Sequence, residues 1–213
     1  MLLQWAGKKY GNLLFTSSTV VYGDGSNTVN EGFRLDTRSA RATKMISAEE
    51  DMIKREGSVI RLAGLYTVDR GPHTFWIKNG EVDSNADGMV NLLHYEDAAD
   101  VCVEALISGK PGMIYLASDD EPVTRENLCK AAVASGSIQN AAMPTFASPT
   151  GAPGKIVDSS LTKEKLKWSP KYPSFQEYMY RLGGIEYKMG KTMKEKAETL
   201  WLGGEDDDIF GGL

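Results

Sequence analysis

Several side chains in this sequence could do chemistry. The run Tyr10 to Ser18 (YGNLLFTSS) ends in the hydroxyls of Thr16, Ser17 and Ser18, and Tyr22 follows Ser18 by four residues. A hydroxyl at a strand end can hydrogen-bond a bound carbonyl, or it can cap the local backbone. The Tyr22 phenol could move a proton only if a cation drew its pKa down from ~10, and after a buried strand it is equally a packing ring. Lys44 offers an ammonium on a helix, and Arg70 a guanidinium able to hold an anionic group in two bonds. His94 offers an imidazole that titrates near neutrality. Each has an ordinary alternative: Lys44 and Arg70 as solvated charges, and His94 as a ring orienting Asp97 at a helix start, where a carboxylate complements the dipole. Cys102 and Cys129 form no CxxC pair, and with His73 and His94 as the only histidines no metal site is expected.

The elements that must hold these residues follow from hydrophobic pattern. Tyr10 to Ser18 reads as a parallel strand buried on both faces. A polar loop over 23–32 leads to a helix from Thr37 to Glu56, with Asp36 or Thr37 as N-cap and Gly57 as stop. Ser58 to Leu65 (SVIRLAGL) is a second buried strand, so this part is one crossover unit of a parallel sheet. Pro72 to Asp87 reads as polar and irregular. Met89 to His94 is a short strand feeding a helix from Glu96 or Asp97 to Gly109, and Met113 to Ser118 is another strand. Thr124 caps a helix to Ala134, a loop rich in small residues runs to Gly154, and two short helices follow, the second opened by a capping box of Ser174 and Glu177. Lys191 to Leu202 reads as a last helix ahead of an acidic tail.

Composition bounds the function. The 213 residues are 41% hydrophobic and 25% charged, an ordinary globular balance. Net charge is −5, and Glu205, Asp206, Asp207 and Asp208 supply four of the negative charges. No block of Lys and Arg with interleaved aromatics appears, so nucleic acid is not an expected partner. No apolar run approaches the roughly 20 residues of a membrane span, so a membrane is not expected either.

Four segments carry a resemblance. FTSSTVVYG (15–23), RLAGLY (61–66), NLLHYEDAAD (91–100) and IYLASDDEPVT (114–124) are similar, in order, to segments of the extended and atypical short-chain dehydrogenases/reductases, the NAD-dependent epimerase/dehydratase family. KWSPKYPSF (167–175) resembles the same family's C-terminal helix hairpin, and the matches run from about Leu13 to about Gly183. The resemblance implies an α/β fold with a Rossmann-like parallel sheet that binds NAD or NADP, plus a small C-terminal helical substrate region. It implies catalytic roles for Ser18, which would polarise the substrate, for Lys44 and, as a substitute acid or base, for Tyr22. Cofactor contacts would come from Thr16, Ser17, Lys44, Leu62, Ala63, Gly64 and Tyr66, and substrate contacts from Arg70 and His94.

The sequence departs from that pattern in three places. The G-x-G-x-x-G loop that sets backbone amides against a pyrophosphate is absent, and Gly23-Asp24-Gly25 reads as a turn. Ala40 stands where the family tyrosine would, four residues before Lys44. Thr67-Val68-Asp69 replaces the usual Gly-Pro-Gly after Tyr66. The expectation is therefore a sheet lacking its N-terminal strands and Gly-rich loop: the C-terminal half of a dinucleotide-binding domain over 1–118, with a substrate-side insertion at 66–90. A small substrate-side region (119–189) and a helix with an acidic tail (190–213) follow. Such a sheet keeps one edge open, which implies an N-terminal partner segment, a homo-oligomer or a truncated product. The expected function is an NAD(P)-binding epimerase, dehydratase or reductase, impaired or incomplete in catalysis; the alternative is a non-enzymatic interaction or regulatory module. The expected location is the cytoplasm or an organellar stroma.

Overall fold

The computed structural model describes residues 12–25 and 27–187. In chain order the elements are β1 (Leu14–Ser18), a 3-10 turn (Thr19–Tyr22), β2 (Thr28–Val29), α1 (Ala40–Lys54), β3 (Ser58–Leu62), β4 (Gly64–Tyr66), α2 (Pro72–Asn79), β5 (Glu81–Val82), β6 (Met89–Val90), β7 (Leu92–His94), α3 (Tyr95–Ile107), β8 (Ile114–Ala117), β9 (Val123–Thr124), α4 (Arg125–Ala134), β10 (Thr145–Phe146), β11 (Ile156–Val157), α5 (Ser160–Leu166) and α6 (Phe175–Leu182).

A parallel sheet in the order β1-β3-β8 forms the centre, with Ser17 opposite Arg61 and Ile60 opposite Tyr115. All five residues of β3 are buried, as a middle strand of a covered parallel sheet requires. Strand alternation sends Ile60 and Leu62 to one face, where Val101 and Ala105 of α3 and Trp168 complete a core. On the other face Leu116 packs with Val21, Ala42 and Ile46. β4 continues beyond β3 and pairs with β7 in parallel. A third core, under α4 and α6, is built from Tyr66, Leu92, Leu128, Phe175 and Met179. β1 lies at the sheet's edge, and among the described residues no strand pairs with its outer side. Thr16 on that strand is exposed. No helix among the described residues is long and apolar enough to cross a membrane.

Several boundaries differ from the sequence reading for local reasons. Helix α1 begins at Ala40 because Ser39 caps it, its hydroxyl accepting from the Ala42 amide at 3.4 Å, while Asp36 is engaged by Arg38 instead. The stretch after Pro72 is not irregular: Pro72 starts α2 at a position that needs no amide, Gly80 closes it at φ 71°, and Trp76 and Ile77 pack on the third core. The expected single strand 58–65 breaks at Ala63, whose amide goes to Ala117 while that of Gly64 goes to Asn91, so the chain passes from one neighbour to the next. Thr124 and Ser174 cap their helices as their sequence positions suggest, accepting from Asn127 and Glu177. The helix expected at 191–202 and the acidic tail lie outside the described residues.

Phe175 is fully buried, with its ring 5.0 Å from those of Tyr66 and His73. Phe175→Ala should lower the unfolding free energy by about 3–5 kcal/mol in urea denaturation, because the ring leaves a cavity that three strands and two helices cannot close.

Candidate functional site

The carboxyl ends of β1 and β3 meet around a buried charge. Arg61 and Glu49 are 2% and 3% exposed, and they bond side by side, with Nη2 to Oε2 at 2.6 Å and Nε to Oε1 at 3.1 Å. The Ser17 hydroxyl donates to the same carboxylate. The remaining Arg61 nitrogen, Nη1, donates to the Tyr22 hydroxyl at 3.0 Å and to the Glu31 carbonyl at 3.1 Å. The cause is register: Ser17 and Arg61 are Cα partners on adjacent strands, and both face α1, which carries Glu49 inward. Burial pushes the Tyr22 phenol up despite the nearby guanidinium. Tyr22 therefore holds its proton near neutral pH and is spent on packing and on Arg61.

Ser18 ends β1 and caps the 3-10 turn, its oxygen accepting from Val20 at 3.3 Å. Leu62 and Ala63 are buried at the end of β3, and Gly64 is exposed. Past the turn, Gly23 has φ 69°, and a Cβ there would come within 2.5 Å of an Asp36 oxygen, so only glycine fits. A cavity of about 400 Å³ opens beside this turn, lined by Tyr22, Asp24, Asn27, Phe33, Arg34 and Arg38. Lys155 braces the turn from behind, donating to the Gly23 carbonyl at 2.7 Å, and burial lowers its pKa. Lys44 is exposed on α1 and makes no hydrogen bond or ion pair with any described residue.

A second group of side chains surrounds Tyr66, which is fully buried. The rings of His94, Phe175 and Tyr178 stand 5.2, 5.0 and 5.7 Å from it, and Tyr172 lies 4.0 Å from His94. His94 caps α3, its Nδ1 accepting from the Glu96 amide at 3.2 Å. Asp97 lies in the first turn of α3, where a carboxylate complements the dipole, and accepts from the amides of Lys171 and Tyr172 at 2.7 and 3.0 Å. Arg70 is exposed and lies over the Tyr95 ring at 5.4 Å. Burial lowers the pKa of His94 and of the more enclosed His73.

The structure thus brings Ser17, Ser18 and Tyr22 together at the end of β1, and Tyr66 with His94 in the aromatic group. Lys44 joins neither by a bond. Sequence reasoning missed the Glu49–Arg61 pair and the buried Asp119. The first had a signal, a Glu on a helix face that also carries Ala42, Ile46 and Met52; the second sits in an acidic loop sequence that reads as solvated. No group of side chains among the described residues could hold a metal ion.

Comparison with known proteins gives the fold. No protein-family model matches the chain. Protein YeeZ of Escherichia coli (strain K12) is 28% identical over 173 residues, which span 76% of this chain and 58% of YeeZ. A functionally unknown conserved protein from Silicibacter pomeroyi DSS aligns with a TM-score of 0.67 at 26% identity, over 82% of this chain and 67% of that one. UDP-glucuronic acid 4-epimerase from Bacillus cereus, solved in complex with NAD, aligns with a TM-score of 0.69 at 17% identity, over 85% of this chain and 65% of the epimerase. The chain spans about three fifths of YeeZ. Its α/β fold, a parallel sheet flanked by helices, is the Rossmann-type fold of NAD-dependent epimerases and dehydratases.

Two outcomes follow from this geometry. Removing one partner of the buried pair, by Glu49→Gln or Arg61→Met, should cost about 3–5 kcal/mol in urea denaturation, and the double variant should cost less than the sum of the two. Both histidines should titrate below ~6.5 in NMR pH titrations. The stability they carry by staying neutral is present above that pH and is lost as pH falls toward their folded values.

Proposed function

We propose that this chain is an NAD(P)-binding, epimerase/dehydratase- or reductase-like protein of the atypical short-chain dehydrogenase/reductase type. In this proposal its described residues supply the nicotinamide and substrate side of the cleft, and catalysis is impaired. The observation that carries the proposal is Ser18 at the carboxyl end of β1, in a parallel sheet of this fold, with the neighbouring Tyr22 phenol bonded to Arg61 rather than to it. In open α/β sheets ligands bind outside those strand ends. Thr16, Gly64 and Ser18 would face the nicotinamide end of the cofactor, and Leu62 and Ala63 would form its apolar floor. Bound there, the cofactor would supply hydride transfer.

Impairment follows from the proton. Tyr22 is the nearest phenol in sequence, and its hydroxyl is buried against Arg61, while Ala40 begins α1 with a methyl group. Ser18 can polarise a carbonyl, but among the described residues its hydroxyl bonds no acid or base that could relay a proton. A non-enzymatic binding or regulatory module is the alternative, and the same sequestration of Tyr22 favours it.

The adenosine half of a dinucleotide needs strands beyond β1. The outer edge of β1 is free for a parallel strand among the described residues. Beside it α3 exposes Val103, Leu106 and Ile107 at 49, 40 and 73%. A strand and helix from an N-terminal segment would cover both surfaces and complete the cradle.

Calorimetric titration of NAD⁺, NADH, NADP⁺ and NADPH into the 213-residue chain tests this. Saturable binding of at least one, with Kd between ~10 µM and ~1 mM, is expected, and Ser18→Ala should weaken it several-fold. No heat from any of the four overturns the binding proposal. Turnover over a panel of nucleotide sugars and carbonyls overturns the impairment.

A further inference from the structure

The segment 168–182, which walls off Tyr66 and His94, is fastened by carboxylates. From the start of α3, Asp97 accepts from the amides of Lys171 and Tyr172, and Glu96 accepts from the Lys171 ammonium at 2.8 Å and the Tyr172 hydroxyl at 3.0 Å. From the loop after β8, the Asp120 amide donates to the Pro173 carbonyl at 2.8 Å, and Glu121 accepts from the Ser174 hydroxyl. Asp119 sits at the root of that loop, 3% exposed, with its amide bonded to the Leu92 carbonyl at 2.7 Å. It forms no ion pair among the described residues, since Lys163 of α5, the nearby cation, is paired with Asp120. The charged and titratable groups around it are Lys163, Asp120 and Glu121, with Tyr66 of β4 on the inner side, and Asp97 lies beyond that ring.

A carboxylate in such a place carries two penalties when it ionises. It loses hydration, and it meets the like charges of Asp120 and Glu121, which Lys163 only partly offsets. Both penalties are relieved by the smallest opening that admits water, and the 171–174 turn, bonded to that loop through the Asp120 amide and Glu121, is the segment whose release opens it without exposing the buried Phe175 and Met179 of α6. We propose that this turn forms a pH-sensitive latch beside His94, closed while Asp119 is protonated and released as Asp119 ionises. Asp119 acts as a positioning residue for the wall of the aromatic site. Its burial raises its pKa well above the ordinary carboxylate value, which agrees in direction. The contribution of Asp119 to closure is thus fully present below its unfolded-state value of ~4 and is lost as pH rises through the folded value, whereas the hold of Glu96 has the opposite sign and weakens only as pH falls below the usual carboxylate range.

Amide hydrogen exchange of the full chain, corrected for the intrinsic pH dependence of exchange, tests the latch. Protection of the Lys171 and Tyr172 amides should fall about tenfold or more between pH ~5 and pH ~9, while β3 and α6 stay unchanged. Asp119→Asn should hold that protection level across the range. Lys163→Met, which removes the cation that lies near Asp119 among the described residues, should deepen the fall and reads out independently of how the Asn variant folds. The latch is overturned by a fall of less than about twofold in the native chain, by an equal fall in Asp119→Asn, or by an unchanged fall in Lys163→Met. Each readout is a backbone exchange rate, so it stands or fails separately from cofactor binding.

Discussion

A single buried ion pair ties the first half of this structure together. Arg61 lies on the middle strand of the sheet, where every neighbouring position is apolar or paired, and an unmatched guanidinium there would be prohibitive. Glu49 on α1 satisfies it bidentately, Ser17 from β1 completes the carboxylate's bonding, and Tyr22 and the Glu31 carbonyl take the last nitrogen. Strand, helix, turn and loop are thereby indexed to one planar group. A hydrophobic substitute of equal volume would pack as well but would not fix the register of β1 against β3, nor the depth of Tyr22. Ser18 sits one residue from this network, so its position at the strand end is set by a charge it never touches.

That arrangement divides the site's chemistry. The end of β1 keeps a small hydroxyl, a turn shaped by Gly23, and an open cavity with two arginines at its rim. The phenol that could have worked beside it is consumed by structure. Farther along, Tyr66 and His94 are packed among Tyr172, Phe175 and Tyr178, with burial disfavouring charge on both rings. One side of the molecule thus leaves a hydroxyl and an open cavity at a strand end, and the other holds aromatic groups neutral beneath a cover fastened by acids.

The sequence showed the alternation of strands and helices because that information is local: β-branched runs, Ser and Thr caps, and glycine stops. It identified the Rossmann-type class through ordered segments around Ser18, Arg61, Asp97 and Ser118, and the fold agrees. It did not show α2, because Pro72 and the polar residues after it masked a helix whose apolar contacts lie more than 40 residues away in α4 and α6. Nor did it show the destination of Arg61, since a charge within a β-branched run fits a ligand contact or a buried pair, and only tertiary register decides. Asp119 was illegible for the opposite reason: an Asp-Asp-Glu loop has the composition of a solvated surface, and only tertiary packing buries the first acid.

The central proposition is that the hydroxyl-bearing end of β1 meets the nicotinamide end of a dinucleotide. Its most direct test is residue-resolved: ¹H–¹⁵N NMR of the labelled chain during titration with nicotinamide mononucleotide, which lacks the adenosine half. Saturable shifts confined to 16–18 and 62–66, and absent from the α1 face around Lys44, are the predicted result. Shifts centred elsewhere, or none at millimolar ligand, would contradict it.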